Sequence, residues 1–276
     1  MRASVRVKDE VATNGTHVPN LKPPLKWAGG KRWLVPELQK LWKPFRDRRY
    51  VEPFCGGLAA ALGLAPEHAL LNDVNPHLIN FYHQLKTGLK LQLPLRYDEE
   101  LFYQYRERFN QLIRKKQADS AKAAQLFYYL NRTCFNGLCR FNQSGEFNVP
   151  FGTYSKINYV RDFSGYINVF AQWTFSNCDI GQLIFEPEDF VYADPPYDVE
   201  FTTYSAGGFS WEDQVRTAEL LSNHRGPVII SNQATDRILK LYKQLKFKLY
   251  FLDAPRRISC TGDRTKAKEV LATRNL

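Results

Sequence analysis

Four short apolar segments, each followed by polar or glycine-rich residues, constrain the fold of this chain most. They alternate with stretches of helical character, which is the pattern of an open parallel α/β sheet. Open sheets of this kind place ligands beyond the carboxyl ends of their strands. We therefore predict a Rossmann-like α/β sheet with one crevice that collects the residues following all four strands. The segments are Arg49-Tyr50-Val51, Ala69-Leu70-Leu71, Phe190 to Ala193 and Val228-Ile229-Ile230.

The pattern changes in the middle of the chain. Apolar residues recur at helical spacing from Leu101 to Leu112, and a second helix is predicted from Ser120 to Asn131. In the aromatic, polar stretch that follows, Gln143-Ser144-Gly145 predicts the turn of a β-hairpin. We expect an inserted, mostly helical module that carries this hairpin. The predicted division is a flexible tail at 1–20, a catalytic domain at 21–92 and 169–276, and the inserted module at 93–168.

The tetrapeptide Asp194-Pro195-Pro196-Tyr197 directly follows one of the predicted strands. Its chemistry suits methyl transfer to the exocyclic amine of a DNA base, whose lone pair is delocalised into the ring. Hydrogen bonds from that amine to the Asp194 carboxylate and the Pro195 carbonyl would free the lone pair. The prolines fix the turn and remove competing backbone donors, and Tyr197 offers a flat face to an extruded base. The alternative is a turn that only closes a buried strand.

Composition indicates the kind of partner. Lys and Arg number 38 against 28 Asp and Glu, a formal charge of +10, which favours a polyanion and above all nucleic acid. The alternative is a merely solvated basic surface. The five cysteines include no C-x-x-C pair, so they indicate neither a zinc ribbon nor a disulfide framework, and a reducing compartment fits them best.

Gly56-Gly57 and Asp73 partly match the sequence pattern of nucleotide-binding α/β folds. Glycines after a strand let a ligand approach the backbone, and an acidic residue about twenty positions on binds ribose hydroxyls. The full G-x-G-x-x-G is absent, which disfavours a dinucleotide and is compatible with S-adenosylmethionine, because that cofactor carries no phosphate. Upstream, Trp27 could cover the adenosyl group and Lys31 could pair with the methionine carboxylate. The alternative is that the glycines only pack a helix against a strand.

Several blocks of the sequence follow one another in a characteristic order: Lys26 to Lys31, Glu52-Pro53-Phe54 with its glycines, Leu71 to Asn75, Asn131 to Asn142, Gly145 to Gly152, Asp194 to Tyr197, Ser231-Asn232 and Arg256 to Ser259. In these blocks the chain strongly resembles the Dam-type DNA adenine-N6 methyltransferases, the α group of amino-methyltransferases. The resemblance covers nearly everything from Leu25 to Thr273. Cofactor motifs come first, a recognition module lies in the middle and the catalytic motif comes last, as in the family.

The resemblance implies S-adenosylmethionine as methyl donor, S-adenosylhomocysteine as product, no metal, and double-stranded DNA as substrate, commonly with GATC as target. We expect a monomer that is cytoplasmic and DNA-associated, in a bacterial cell or a phage-infected host. No membrane partner is expected. Carried over by motif, the catalytic residues are Asp194, Pro195, Pro196 and Tyr197. The cofactor contacts are Trp27, Lys31, Phe54, Gly56, Asp73 and Asp194. The DNA contacts are Lys26, Phe135, Asn136, Leu138, Arg140, Pro150 and Tyr154.

Side-chain chemistry agrees with these DNA roles. Arg140 can bind guanine O6 and N7 bidentately, and Leu138 with Pro150 can meet a thymine methyl group. Phe135 and Asn136 resemble the residues that enter the duplex when adenine leaves it.

The sequence also departs from the family at three positions. Family members often have glycine at Leu58, a basic residue at Thr153 and histidine at Gln233. The first two departures concern the cofactor loop and the outer-base contacts, and Gln233 is assigned no role.

Three other functions compete with adenine methylation. Methylation of cytosine N4 poses the same chemical problem, but Asp rather than Ser at position 194 favours adenine. An inactive DNA-binding regulator is disfavoured because Asp194 to Tyr197, Lys31 and Asp73 are all intact. A protein-glutamine methyltransferase would more typically carry Asn at position 194, and would not explain the basic charge or the hairpin.

Overall fold

The computed structural model describes residues 21–198, 208–254 and 267–276, and within these ranges seven strands form one sheet. Its spatial order is β3-β2-β1-β4-β5-β7-β6. Strands β1 to β5 run parallel, whereas β7 is antiparallel to both β5 and β6. The strands are β1 Tyr50–Glu52, β2 Ala69–Asn72, β3 Trp173–Ser176, β4 Phe190–Ala193, β5 Val228–Gln233, β6 Lys248–Ala254 and β7 Ala267–Arg274. The predicted Rossmann-like α/β sheet is confirmed.

Helices cover both faces of this sheet. Alternate residues of β4 and β5 face opposite ways, so that Tyr192 belongs to one buried cluster and Val191 to another. The first cluster includes α1 to α3, and the second includes α7 and α8. Within the described ranges the helices are α1 Val35–Trp42, α2 Ala59–Leu64, α3 Pro76–Lys86, α4 Glu99–Arg114, α5 Ala121–Thr133, α6 Ser164–Phe170, α7 Trp211–Ser222 and α8 Asp236–Gln244. None of them is long and apolar enough to cross a bilayer.

Polar side chains fix where several helices begin. Asn75 accepts hydrogen bonds from the backbone N–H groups of His77 and Leu78 and so starts α3 directly after the predicted cofactor loop. Ser120 caps α5 in the same way, and Ser210 forms a reciprocal capping box with Asp213 at α7. The loops of the crevice are therefore followed by well-defined helices.

The middle of the chain contains α4, α5 and the predicted chain reversal. An antiparallel bridge joins Phe141 to Phe147, and Gly145 takes a φ of +74° in the turn between them. Helix α5 packs on α3, where Tyr128 stacks on Phe81 with ring centroids 5.8 Å apart. This region thus shares a hydrophobic core with the sheet. The exact limits of an inserted module at 93–168 remain a prediction, and the tail at 1–20 and the block Arg256 to Ser259 lie outside the described residues.

Candidate active site

The carboxyl ends of four parallel strands meet at one edge of the sheet, as the sequence predicts. Asp73 follows β2, Asp194 follows β4, and Ser231 lies near the end of β5. The loop after β1 carries Gly56. Parallel pairing of β2, β1, β4 and β5 in this order brings their carboxyl ends side by side.

Asp194 is held by two side chains from distant parts of the sequence. Lys31 Nζ lies 2.7 Å from Asp194 Oδ1 and 2.9 Å from Oδ2, and Ser231 Oγ donates a hydrogen bond of 2.7 Å to Oδ1. Only 4% of the Lys31 side chain and 19% of the Asp194 side chain are exposed. Loss of one partner from such a buried pair leaves an uncompensated charge, so the pair strongly defines the position of the carboxylate.

A hydrogen-bonded network supports the segment Asp194 to Tyr197, which the sequence predicts to be catalytic. Because Ser231 donates to Asp194, the neighbouring Tyr192 hydroxyl, 3.0 Å from Ser231 Oγ, donates to Ser231. Gln214 Nε2 on α7 donates to the Pro196 carbonyl at 2.7 Å and accepts a hydrogen bond from Asn232 Nδ2 at 3.0 Å. Ser231-Asn232 was visible in the sequence as a polar pair after an apolar strand, but no sequence signal identified Gln214.

Tyr197 lies beside the same ion pair. Lys31 Nζ is 4.6 Å from the centroid of its ring, a cation–π distance. Its hydroxyl donates a hydrogen bond to Glu269 Oε1 on β7. Burial raises the pKa of Tyr197, and the Asp194 and Glu269 carboxylates raise it further, so this phenol is a donor throughout the physiological range. No motif in the sequence identifies Glu269.

Trp27 packs on the glycines of the predicted cofactor loop. A Cβ atom added to Gly56 would lie 2.6 Å from Trp27 Nε1, and one added to Gly57 would lie 2.7 Å from Trp27 Cβ. These glycines therefore permit the close approach of an indole ring rather than the packing of a helix against a strand. The two predicted cofactor blocks thus meet in space.

Asp73 is tied to the glycine loop through its carboxylate. Gly56 N–H donates to Oδ2 at 3.1 Å, and Asn75 N–H donates to Oδ1 at 2.9 Å. Burial raises the pKa of Asp73 to about 6, although both hydrogen bonds oppose the shift. The carboxylate is therefore largely ionised at neutral pH and accepts hydrogen bonds. Phe54, in the same loop, makes an edge contact with Phe209.

Leu58, one of the departures from the family, lies in the loop before α2. It has a φ of +61°, in the left-handed region that favours glycine, and it precedes the first residue of α2. Its side chain is completely buried. Leucine at this position thus combines backbone strain with added packing in the core.

Most of the predicted DNA contacts surround Cys134. Lys26 Nζ lies 3.3 Å from the centroid of the Tyr154 ring, and the Tyr154 hydroxyl donates to the Cys134 carbonyl. Phe135 N–H donates to the Pro150 carbonyl at 2.9 Å. Leu138 joins the group through the hydrogen bond from Cys134 Sγ to its carbonyl.

Two residues at the edge of this group face outward. Phe135 is 48% exposed although its side chain is large and apolar. Asn136 is exposed and has a φ of +52°. An apolar side chain presented in this way can enter a base step.

Arg140 is oriented by its neighbour across the hairpin. Its Nε donates to Asn148 Oδ1 at 2.8 Å, and its Nη2 lies 3.4 Å from the Asn148 carbonyl. Both contacts hold the Nε and Nη2 edge of the guanidinium group against Asn148. Asn148 is a further residue that sequence reasoning did not assign.

Lys26 connects this group to the cofactor loop, since it precedes Trp27. Its backbone N–H donates to Asn131 Oδ1, and Asn131 Nδ2 donates to the Lys26 carbonyl, each at 2.8 Å. A Cβ atom on Gly137 would lie 2.4 Å from Lys26 Cβ. Thr153, the second departure, is exposed near Tyr154 in sequence. Within the described ranges, His, Cys, Asp and Glu side chains form no group of three or more that is suited to a metal ion.

Comparison with known proteins identifies relatives along most of the chain. A family model for D12 class N6 adenine-specific DNA methyltransferase matches residues 27–258. A DNA adenine methylase of Vibrio cholerae serotype O1 is 36% identical over 270 residues, which cover 90% of this chain and 94% of that protein. A DNA adenine methylase of Escherichia coli strain K12 is 35% identical over 268 residues, covering 90% and 93%. The type II methyltransferase M1.LlaDCHI of Lactococcus lactis subsp. cremoris is 34% identical over 276 residues, covering 92% and 95%.

Proposed function

The chain belongs to the D12 class of N6 adenine-specific DNA methyltransferases, and we propose that it methylates a flipped adenine in duplex DNA, with GATC as its target. S-adenosylmethionine is the proposed methyl donor. The observation that carries the proposal is the position of Asp194. This carboxylate is fixed by Lys31 and Ser231 at the carboxyl end of β4, beside the ring of Tyr197.

The catalytic residues act mainly by orienting the amine. Asp194 and the Pro195 carbonyl accept hydrogen bonds from the adenine N6 amine and direct its lone pair out of conjugation. The carbon–nitrogen bond forms as the donor's carbon–sulfur bond breaks, and the N6 nitrogen then loses its proton to Asp194 or to water, so Asp194 need not act as a base beforehand. Such catalysis depends on position and electrostatics. The hydrogen bond from Gln214 to Pro196 keeps the tetrapeptide in place.

The residues of the crevice fit S-adenosylmethionine. Bound there, this cofactor supplies an electrophilic methyl group on a sulfonium. Trp27 offers an aromatic face to the adenosyl group, Asp73 accepts hydrogen bonds from ribose hydroxyls, and Lys31 pairs with the methionine carboxylate. Phe54 and Gly56 line the same pocket. The close packing of Trp27 on Gly56 and the hydrogen bond from Gly56 to Asp73 support this assignment.

The residues around Cys134 are the proposed DNA-reading surface, carried by the module at 93–168 together with Lys26. Arg140 reads a guanine, and Leu138 with Pro150 contacts a thymine methyl group. Phe135 and Asn136 enter the duplex when the adenine leaves it. The orientation of Arg140 by Asn148 and the exposure of Phe135 support these roles.

The proposal is tested by methyl transfer to defined duplexes. Purified protein is incubated with methyl-labelled S-adenosylmethionine and a duplex containing one GATC site. A control duplex already carries N6-methyladenine in both strands of that site. We expect label in N6-methyladenine of the first duplex alone. Equal labelling of the two duplexes would contradict the target, and label in cytosine would indicate N4 methylation instead.

DNA affinity is expected to fall as the pH rises from 7 to 9 because of Lys26. Burial, together with the nearby Arg132 cation, lowers the pKa of Lys26 to about 8. The free protein therefore loses this positive charge across that range, while anionic DNA favours the charged form. If the bound lysine stays protonated, the dissociation constant rises roughly tenfold. The measurement is fluorescence anisotropy at constant salt. Lys26→Met should bind more weakly at pH 7 with a flat profile, and a variant with the wild-type slope would exclude Lys26 as the cause.

Arg140→Ala is expected to cost about 1–3 kcal/mol in binding to the cognate site and to relax discrimination at one guanine. Asn148→Ala should relax the same position to a smaller extent, because it removes the oxygen that orients Arg140 Nε. The measurement is competition binding with a duplex series that changes one base pair at a time. Lys122→Ala, at an exposed position of α5, is the charge-matched control and should leave discrimination unchanged. If Arg140→Ala weakened binding to all duplexes equally, Arg140 would be a phosphate contact.

A further inference from the structure

Glu269 is a buried carboxyl group that the catalytic mechanism does not use. It lies on β7, opposite Gln233 of β5 and Leu252 of β6, outside the parallel part of the sheet. Only 4% of the residue is exposed. Its Oε1 accepts the hydrogen bond from Tyr197, whereas Oε2 is buried and has no hydrogen-bond partner among the described residues.

Burial of a carboxyl group in this environment is unfavourable in free energy. Burial raises the pKa of Glu269, and the Lys31 cation and the Tyr197 hydroxyl oppose that shift. Buried polar atoms in proteins are nearly always hydrogen-bonded, so an unpaired one calls for a physical explanation. The contact that Glu269 does make within the described residues is with Tyr197, whose hydroxyl donates a hydrogen bond to it. We therefore look for the role of Glu269 at Tyr197.

Two contacts orient the ring of Tyr197, one over its face and one at its hydroxyl. Lys31 Nζ lies over the ring at 4.6 Å from the centroid, and Glu269 holds the hydroxyl at the far end. A tyrosine side chain has two torsions, so a fixed hydroxyl and a fixed ring contact leave one orientation. The phenol is thus prepared as a flat surface before any base arrives.

We propose that Glu269 is a positioning residue that sets the ring of Tyr197 for stacking on the target adenine. This positioning role rests on the proposed function, because it requires the Tyr197 ring to stack on the flipped base. Glu269 touches neither DNA nor cofactor in this role. It acts through the Tyr197 hydroxyl, and it raises the rate of methyl transfer by fixing how the adenine lies against Asp194.

Two substitutions separate the hydrogen bond from the charge. Glu269→Gln retains an oxygen that accepts from Tyr197 and should keep kcat within about threefold of the wild type. Glu269→Leu removes the acceptor and should lower kcat roughly tenfold, the order of one hydrogen bond. Cofactor affinity should stay within about twofold, since Glu269 makes no predicted cofactor contact. Val270→Ala, a cavity variant at the adjacent buried position, controls for general weakening of β7 and should keep kcat.

A double-variant cycle tests the link to Tyr197 directly. Tyr197→Phe removes the hydroxyl and keeps the ring, so it should match Glu269→Leu. The double variant should be no slower than the slower single variant. Multiplication of the two effects would overturn the proposal, as would a wild-type kcat in Glu269→Leu.

A crystal structure of the Glu269→Leu variant provides a readout that does not depend on activity. We expect the Tyr197 ring to be displaced or disordered in this variant and ordered in Glu269→Gln. A ring in the wild-type place in Glu269→Leu would overturn the positioning role. If the ring moves but wild-type protein transfers no methyl group to DNA, Glu269 still orients Tyr197, whereas the stacking on adenine and the proposed function both fail.

Discussion

Asp194→Ala is expected to abolish turnover, with kcat lowered by at least about 100- to 1000-fold, while specific DNA binding remains largely intact. The reason is that, in the proposed mechanism, Asp194 accepts a hydrogen bond from the amine at the moment of attack, whereas the proposed base readers lie in another part of the chain. A loss of this size is typical when one preorganised electrostatic contact to a transition state is removed. The measurements are single-turnover methyl transfer and anisotropy with a cognate duplex.

This variant needs a control for stability. Replacing Asp194 by alanine leaves the buried Lys31 ammonium group without its carboxylate partner, which should lower the free energy of unfolding by about 3–5 kcal/mol. The double variant Asp194→Ala/Lys31→Met removes both charges and should recover much of that stability without recovering activity. Near-normal methyl transfer by either variant would refute the role of Asp194.

Tyr197→Ala is expected to weaken retention of the flipped adenine by about 1–3 kcal/mol, the worth of one base–aromatic stack. The N6 lone pair is inaccessible inside a duplex, so the base must leave the helix before transfer. With 2-aminopurine in place of the target adenine, wild-type protein should give a rise in fluorescence on binding. Stacking on Tyr197 should quench part of that rise.

Phe135 provides a separate test of the same step. Phe135 is exposed, whereas Tyr197 is partly buried, and Phe135 is proposed to fill the space that the adenine leaves. Phe135→Ala should therefore reduce the 2-aminopurine signal without changing cofactor affinity. A structure with cognate DNA in which the adenine is still paired while its N6 lies against the methyl donor would rule out base flipping.

The strands that the sequence predicted share one physical property. Every residue of β1, β2 and β4 is buried, and so is every residue of β5 except Gln233, so each of these strands contains an apolar run. The missed strands lack this signal. β3 alternates buried residues with more exposed ones, and β6 lies at the sheet edge, where no residue from Lys248 to Asp253 is buried.

The candidate site residues could be predicted where a motif carries chemistry, and not where a contact depends on the fold. Asp194 and Asp73 follow strands, and their positions identified them as candidates. The pairing of Asp194 with Lys31 joins residues 163 positions apart, which no local pattern encodes. Glu269 and Gln214 act through tertiary contacts alone, and their segments resemble any strand or amphipathic helix. The left-handed conformation of Leu58 was likewise hidden, because leucine does not signal a positive φ.

The proposed function is tested most directly by sequencing modified bases in DNA from cells that express this chain and have no adenine methylation of their own. We expect N6-methyladenine at one short motif, GATC, and none in cells that express the Asp194→Ala variant. Absence of N6-methyladenine from cells containing folded wild-type protein would contradict it. N4-methylcytosine in its place would show that the crevice accepts a different exocyclic amine.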